Sequence, residues 1–253
     1  RGRRSYNSCA STSRSGGLAA KEYPTNAMDL MPTAAIKTVL FDLDGTLVDT
    51  APDLAAVLNT LLEQHGKQRQ PLDAIRPYVS HGSAGMLGFG FDMSDKDPGF
   101  SALRKEFLDL YADDLCHQSR LCPGMGDVLD ELEQRNLSWG VVTNKPGYLT
   151  RPLMDELDLT ERCCCIVSGD TLDQRKPHPA PMFHAANQAD AEPAQCVYVG
   201  DAPRDIEAGN RAGMQTLVAL YGYLHADDKP AEWGAGDSIA SPSGLIDWID
   251  NHG

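Results

Sequence analysis

Val39–Thr50 reads VLFDLDGTLVDT, an apolar run that ends on Asp42 and Asp44 and then meets Gly45. The run begins upstream, at Ile36 in IKTVLF, and reads as a buried strand. The following TAPDLAAVLNTLLEQHG, residues 50–66, reads as a helix. Thr50 and Asp53 have the spacing of a Ser/Thr-x-x-acid capping box, Pro52 suits the first turn and Gly66 is a stop. Residues two apart on extended backbone point the same way, so Asp42 and Asp44 are expected to face one volume, with Gly45 permitting a sharp turn after them. Two carboxylates in a low-dielectric space repel strongly unless a cation sits among them.

The strand–helix alternation resumes further along. LSWGVVTNKP, CCCIVSGD, QCVYVGD and MQTLVALYG read as strands, and RPLMDELDL, PAPMFHAANQAD and PRDIEAGNRAG as the helices between them. Such alternation predicts an α/β fold, a doubly wound, Rossmann-like parallel sheet covered on both faces. From Asp53 to about Leu121 the strand signal disappears, while Phe100, Leu103, Phe107, Leu108 and Tyr111 recur at helical spacing. The expected organisation is an α/β core over residues 35–53 and 122–253, a helical cap over 54–121, and a disordered extension over 1–34.

That extension opens RGRRSYNSCASTSRSGG, rich in Arg, Ser and Gly, a composition unable to bury a core. It resembles an organellar transit peptide in composition; an expression-vector remnant or upstream translated sequence, with the natural start at Met28 or Met31, is the preferred reading. A net charge of −14 argues against a nucleic-acid partner, which needs a surplus of lysine and arginine on one face. No apolar run is long enough for a membrane span. The seven cysteines include no CxxC pair, which argues against zinc. Cys163, Cys164 and Cys165 are expected to fill a strand, and a reducing, cytoplasmic compartment fits them. Nothing in the chain specifies an oligomeric state.

Ligands of open parallel sheets bind beyond the carboxyl ends of the strands. There the chain places Asp42 and Asp44, then Thr143, Asn144 and Lys145, then a loop to Lys176, then Asp201 and Asp205. Carboxylates without histidine or thiolate suit Mg²⁺ shared with a substrate phosphate. Lys176, the Thr143 hydroxyl and the Asn144 backbone amide are candidates to bind the phosphate oxygens. In such a phosphoryl site Asp42 is the candidate nucleophile and Asp44 the proton-handling group. Asp205 is read as a brace for Lys176, Asp49 as a cap or brace of the first helix, and His178, between prolines, as structural. Lys145 is left open between substrate contact and a solvated position. VSHGSAGMLGFGF, residues 79–91, carries no GxGxxG or GKS pattern. It is left open between a loop bringing His81 or Ser83 to the substrate's far end, a tight helix contact and a linker.

DLDGTLVDT, VVTNK, RKPHPAP and VGDAPRDIEAG, in this order, resemble the four motifs of the haloacid dehalogenase superfamily, and the likeness runs from about Ile36 to Tyr223. The resemblance implies an aspartyl-phosphate on Asp42, general acid–base work by Asp44, and Mg²⁺ held by Asp42, the Asp44 backbone carbonyl and Asp201, with Asp205 nearby. It further implies that Thr143 and Lys176 hold the phosphoryl group. An insertion directly after the first motif resembles the helical cap that closes over small substrates. ALYGYLHADDKPAEWGA and the second and third motifs resemble the branch holding phosphoglycolate and N-acetylmuramic acid 6-phosphate phosphatases. The implied activity is hydrolysis of a small phosphorylated metabolite; sugar phosphomutases, with the same core residues, are the alternative.

Overall fold

A computed structural model describes residues 35–252; the expected disordered extension, 1–34, lies outside the described residues. Six strands form a parallel sheet in the order β5-β4-β1-β6-β7-β8, comprising Ile166–Val167, Ser138–Val142, Thr38–Phe41, Cys196–Gly200, Gln215–Ala219 and Asp237–Ile239. β1 is central because its residues are apolar on both faces. Val39 and Phe41 pack with Leu129 and Leu132 of α5 (Met125–Gln134), Leu153 of α6 (Gly147–Glu156) and Trp248 of α9 (Gly244–His252). Leu40 faces the other way, toward Met182 and Ala185 of α7 (Ala180–Gln188) and Ala208 of α8 (Pro203–Ala212). Strands buried on both faces lose polar alternation and read as continuous apolar runs. Helices on both faces make the sheet doubly wound, as expected.

The chain leaves the core through β2 (Val48–Asp49) and returns through β3 (Arg120–Leu121), paired antiparallel with Val48 opposite Leu121. Between them lie α1 (Ala51–Gln64), α2 (Leu72–Val79), α3 (Gly82–Phe91) and α4 (Phe100–Asp113). Leu58, Ile75, Leu87 and Phe107, one from each helix, belong to a core that also takes in Leu149 and Tyr223 from the α/β part. The expected boundary between residues 53 and 54 falls inside α1.

Several local expectations are corrected. Thr50 is the N-cap of α1 but its side chain makes no capping bond; the hydroxyl is directed to Asp44, and the Asp53 carboxylate accepts from Gln118 and Ser119. The capping box gives way to contacts that close both ends of the helical insertion. Cys163–Cys165 precede β5, whose two residues are Ile166 and Val167. Only Cys165 of the three is buried, beneath Gly140, where a Cβ would lie 2.5 Å from its sulfur. Of the readings left open for the glycine-rich stretch, the tight helix contact is observed: it forms helix α3, where a Cβ at Gly90 would sit 3.0 Å from Leu58 Cδ1 of α1.

Candidate active site

The carboxyl ends of β1, β4 and β6 open on a cavity of about 540 Å³, lined on the core side by Asp42, Asp44, Thr143, Asn144, Lys145 and Lys176. Asp42 and Asp44 thus face one volume. Helices α2–α4 and their connections supply the opposite wall, including Ser80, His81, Ser83, Arg104, Phe107 and Tyr111.

Lys176 is the most tightly held of these groups. Its ammonium, 1% exposed, donates to Asp42 Oδ1 at 2.8 Å, to the Val142 carbonyl at 2.8 Å and to the Tyr198 hydroxyl at 2.7 Å. Asp205 Oδ1 lies 2.8 Å away, an ion-pair contact off the hydrogen-bond direction, since that oxygen has no hydrogen bond. Asp205 Oδ2 accepts from the Ala202 amide at 3.0 Å. Burial lowers the lysine's pKa, but Asp205 and Asp42 outweigh it and leave the group raised and charged. The Asn144 side chain closes on the Lys176 backbone with two bonds, from Nδ2 to the carbonyl at 3.0 Å and from the amide to Oδ1 at 3.1 Å. Thr143 Oγ1 accepts from the Lys145 amide at 3.1 Å.

Asp44 Oδ1 accepts from Thr50 Oγ1 at 2.6 Å and from Lys145 Nζ at 2.9 Å, while Oδ2 has no protein partner among the described residues. Lys145 is buried, not solvated: its Nζ also donates to Tyr111 Oη at 3.0 Å and lies 4.5 Å from the centroid of that ring. Burial lowers its pKa, and Asp44 and Tyr111 raise it on balance. Asp49 caps nothing; its Oδ1 accepts from Arg76 Nη1 at 2.7 Å and Tyr223 Oη at 2.6 Å, tying α2 to the loop after β7. His178 is structural, its Nδ1 accepting from the Ala180 amide at 3.2 Å where α7 begins.

Asp201 completes the group. Its Oδ2 accepts from the Tyr223 amide and from Ser80 Oγ, both at 2.8 Å, and its Oδ1 is buried with no hydrogen bond. Gly45, at φ +87°, and Gly222 leave it room, because a Cβ would come within 2.6 Å of Asp201 Oδ2 at the first and 2.3 Å of its Cβ at the second. Asp42, Asp201 and Asp205 each offer an oxygen, all within 4.8 Å of one another. Desolvation first, and the charges of Asp42 and Asp205 second, push the Asp201 carboxyl up to about 7. Two like charges near 4 Å cost about 4 kcal/mol at an effective dielectric of 20, so an orphaned oxygen in an all-carboxylate cluster fits a hard divalent cation such as Mg²⁺. The Asp44 side chain stands apart from the cluster, engaged by Lys145 and Thr50.

Thr50, Lys145, Tyr111, Ser80, Tyr223 and Tyr198 form the supporting shell around these acids. Thr50 and Tyr111 carried sequence signals, but as a helix cap and an apolar helical position. Ser80 and Tyr223 reach Asp201 from 121 and 22 residues away; both lie in stretches singled out in the sequence, but nothing there marks either as a partner of Asp201.

Residues 39–219 match the sequence profile of the haloacid dehalogenase-like hydrolases. The chain belongs to this family. Among its relatives, the N-acetylmuramic acid 6-phosphate phosphatase of Pseudomonas putida is 40% identical over 216 residues, 85% of this chain and 97% of that protein. The phosphoglycolate phosphatase of Xanthomonas campestris is 44% identical over 209 residues, 83% and 94% of the two chains. The crystal structure of a predicted phosphoglycolate phosphatase from Haemophilus somnus superposes with a TM-score of 0.74 at 25% identity, covering 85% of this hydrolase and 98% of that chain. A Lactobacillus delbrueckii structure, with a TM-score of 0.76 at 22% identity over 85% of this chain and 99% of its own, shares the fold.

Proposed function

We propose that the chain is a Mg²⁺-dependent phosphomonoester hydrolase working through an aspartyl-phosphate, on a small phosphorylated metabolite of the kind its relatives are named for, 2-phosphoglycolate or N-acetylmuramate 6-phosphate. The coarser statement, a phosphatase of the haloacid dehalogenase-like family, rests on those relatives and on the family match. The observation that carries the finer reading is the pairing of Asp42 with Lys176 beside an acidic cluster that includes an unsatisfied Asp201 oxygen.

Asp42, the Asp44 backbone carbonyl and Asp201 would hold Mg²⁺, with Asp205 beside them; when bound, the ion neutralises charge on the phosphoryl oxygens and on the carboxylates. Lys176 and Thr143 orient the phosphoryl group for in-line attack by an Asp42 carboxylate oxygen, which forms an O–P bond as the ester O–P bond breaks. Asp44 Oδ2, left free by the bonds to Oδ1, delivers a proton to the departing ester oxygen. The resulting carboxylate then takes a proton from the water that attacks phosphorus, releasing inorganic phosphate and restoring Asp42.

A phosphate-release panel with Mg²⁺ tests this, comparing 2-phosphoglycolate, N-acetylmuramate 6-phosphate and common sugar phosphates. Asp42→Asn is expected to fold, by circular dichroism, and to lose about a thousandfold or more in turnover. Retained turnover removes the nucleophile assignment; sugar-phosphate interconversion without phosphate release favours a mutase.

A further inference from the structure

The cavity carries more positive charge than a phosphoryl group uses. Lys176, beside Asp42 and Asp205, is assigned to the phosphoryl group, Lys145 pairs with Asp44, and Arg204 donates from Nη2 to the Ser80 carbonyl. Arg104 and Arg175 also line the cavity, together with Asp95, and like Arg204 neither has an ion-pair partner among the described residues; unlike Arg204, neither side chain is tied to a backbone carbonyl.

These two arginines differ in how they are held. The Arg175 side chain has no hydrogen bond among the described residues. Arg104, on α4, donates from Nε to Ser83 Oγ at 3.0 Å, in the first turn of α3. That bond uses one donor and leaves both terminal nitrogens available, on the wall opposite Thr143 and Lys176. A guanidinium with a fixed Nε and two unspent nitrogens suits bidentate binding of a carboxylate, and a preset orientation reduces the ordering cost. Arg104 also borders a side recess of about 330 Å³ with Phe100, Leu108 and the exposed Tyr148, so the space beyond it admits more than a two-carbon acid.

We propose that Arg104 binds the carboxylate of the substrate and makes this enzyme selective for phosphomonoesters that carry one. This rests on the hydrolase reading and deepens it. Glycolate and muramate, the two acids in the relatives' names, share a carboxylate and otherwise differ greatly in size, so one arginine at the cap wall serves either.

The test uses ester pairs that differ in the acid group: 2-phosphoglycolate against 2-hydroxyethyl phosphate, and N-acetylmuramate 6-phosphate against N-acetylglucosamine 6-phosphate. The wild type is expected to prefer the acid in at least one pair. In Arg104→Gln the kcat/KM ratio within that pair falls about tenfold to a hundredfold, chiefly through KM for the acid, the size of a lost charged hydrogen bond. Arg104→Lys restores part of the ratio, and Arg175→Gln moves it less than ~threefold. A thermal melt matching wild type shows that the exposed Arg104 site tolerates the change. The proposal is overturned if the wild type prefers neither acid, if Arg104→Gln slows both members of a pair alike or leaves the ratio unchanged, or if Arg175→Gln collapses the ratio instead. Phosphate release from the ester panel as a whole separates the two levels. Turnover of both members of each pair with a flat ratio removes the Arg104 assignment alone, whereas no phosphate release with Mg²⁺ from any ester of the panel, acids included, removes the hydrolase reading and this inference with it.

Discussion

Asp201 shows how one side chain carries both a cost and a purpose. Two donors satisfy Oδ2, none reaches Oδ1, and the carboxyl is pushed up to about 7. A folded-state value above the unfolded one means that the native protein without metal keeps a proton the unfolded chain has released, so stability falls as pH rises from about 4 through about 7. Mg²⁺ held at this cluster would have to displace that proton. The gain in Tm from added Mg²⁺ is therefore expected to be larger at pH 8 than at pH 5.5, measured by thermal shift; equal gains count against the cluster as the metal site. The placement of Asp42, Asp44, Thr143 and Asn144 on one cavity was legible beforehand because each follows an apolar strand at the end where ligands bind, and Lys176 joins them from the loop after β5. Their supports were not, since a serine at position 80 becomes visible only when the fold brings it to Asp201.

Helix α1 shows why local motifs mislead where function intervenes. Its first residues look capped, yet the Thr50 hydroxyl bonds Asp44 at 2.6 Å and the helix begins without a side-chain cap. Thr50→Val is expected to lower kcat about tenfold, the size of a lost hydrogen bond to a charged group, while Thr50→Ser keeps activity. An active valine variant would mean that Asp44 needs no help from α1. Strands β1, β4, β6 and β7 were readable because burial on both faces makes them continuous apolar runs. β8 was not, with two of its three residues exposed, nor were β2 and β3, two residues each. Helix α3 stayed one of three open readings because four glycines in ten residues give low helix propensity; close packing on α1 compensates.

Across the molecule, polar ties join the helical insertion to the sheet at the site itself. Ser80 donates to Asp201 while its carbonyl accepts from Arg204, and Tyr111 meets Lys145, which holds Asp44. The same side chains therefore hold the insertion to the sheet and hold the acids of the site in place. Ser80→Ala is expected to cost about 1 kcal/mol in urea unfolding without Mg²⁺, and a smaller loss with the ion present, when Asp201 has another partner; identical losses in both conditions would separate Ser80 from the metal site. The general division into sheet and helices was legible from periodicity, whereas the ties between them depend on side chains that meet only in three dimensions. The paired strands β2 and β3 bring the insertion's start and finish side by side, Val48 opposite Leu121. A replacement insertion can therefore enter and leave the sheet at one point without altering its strand order, provided that it keeps the Ser80 and Tyr111 contacts to the site.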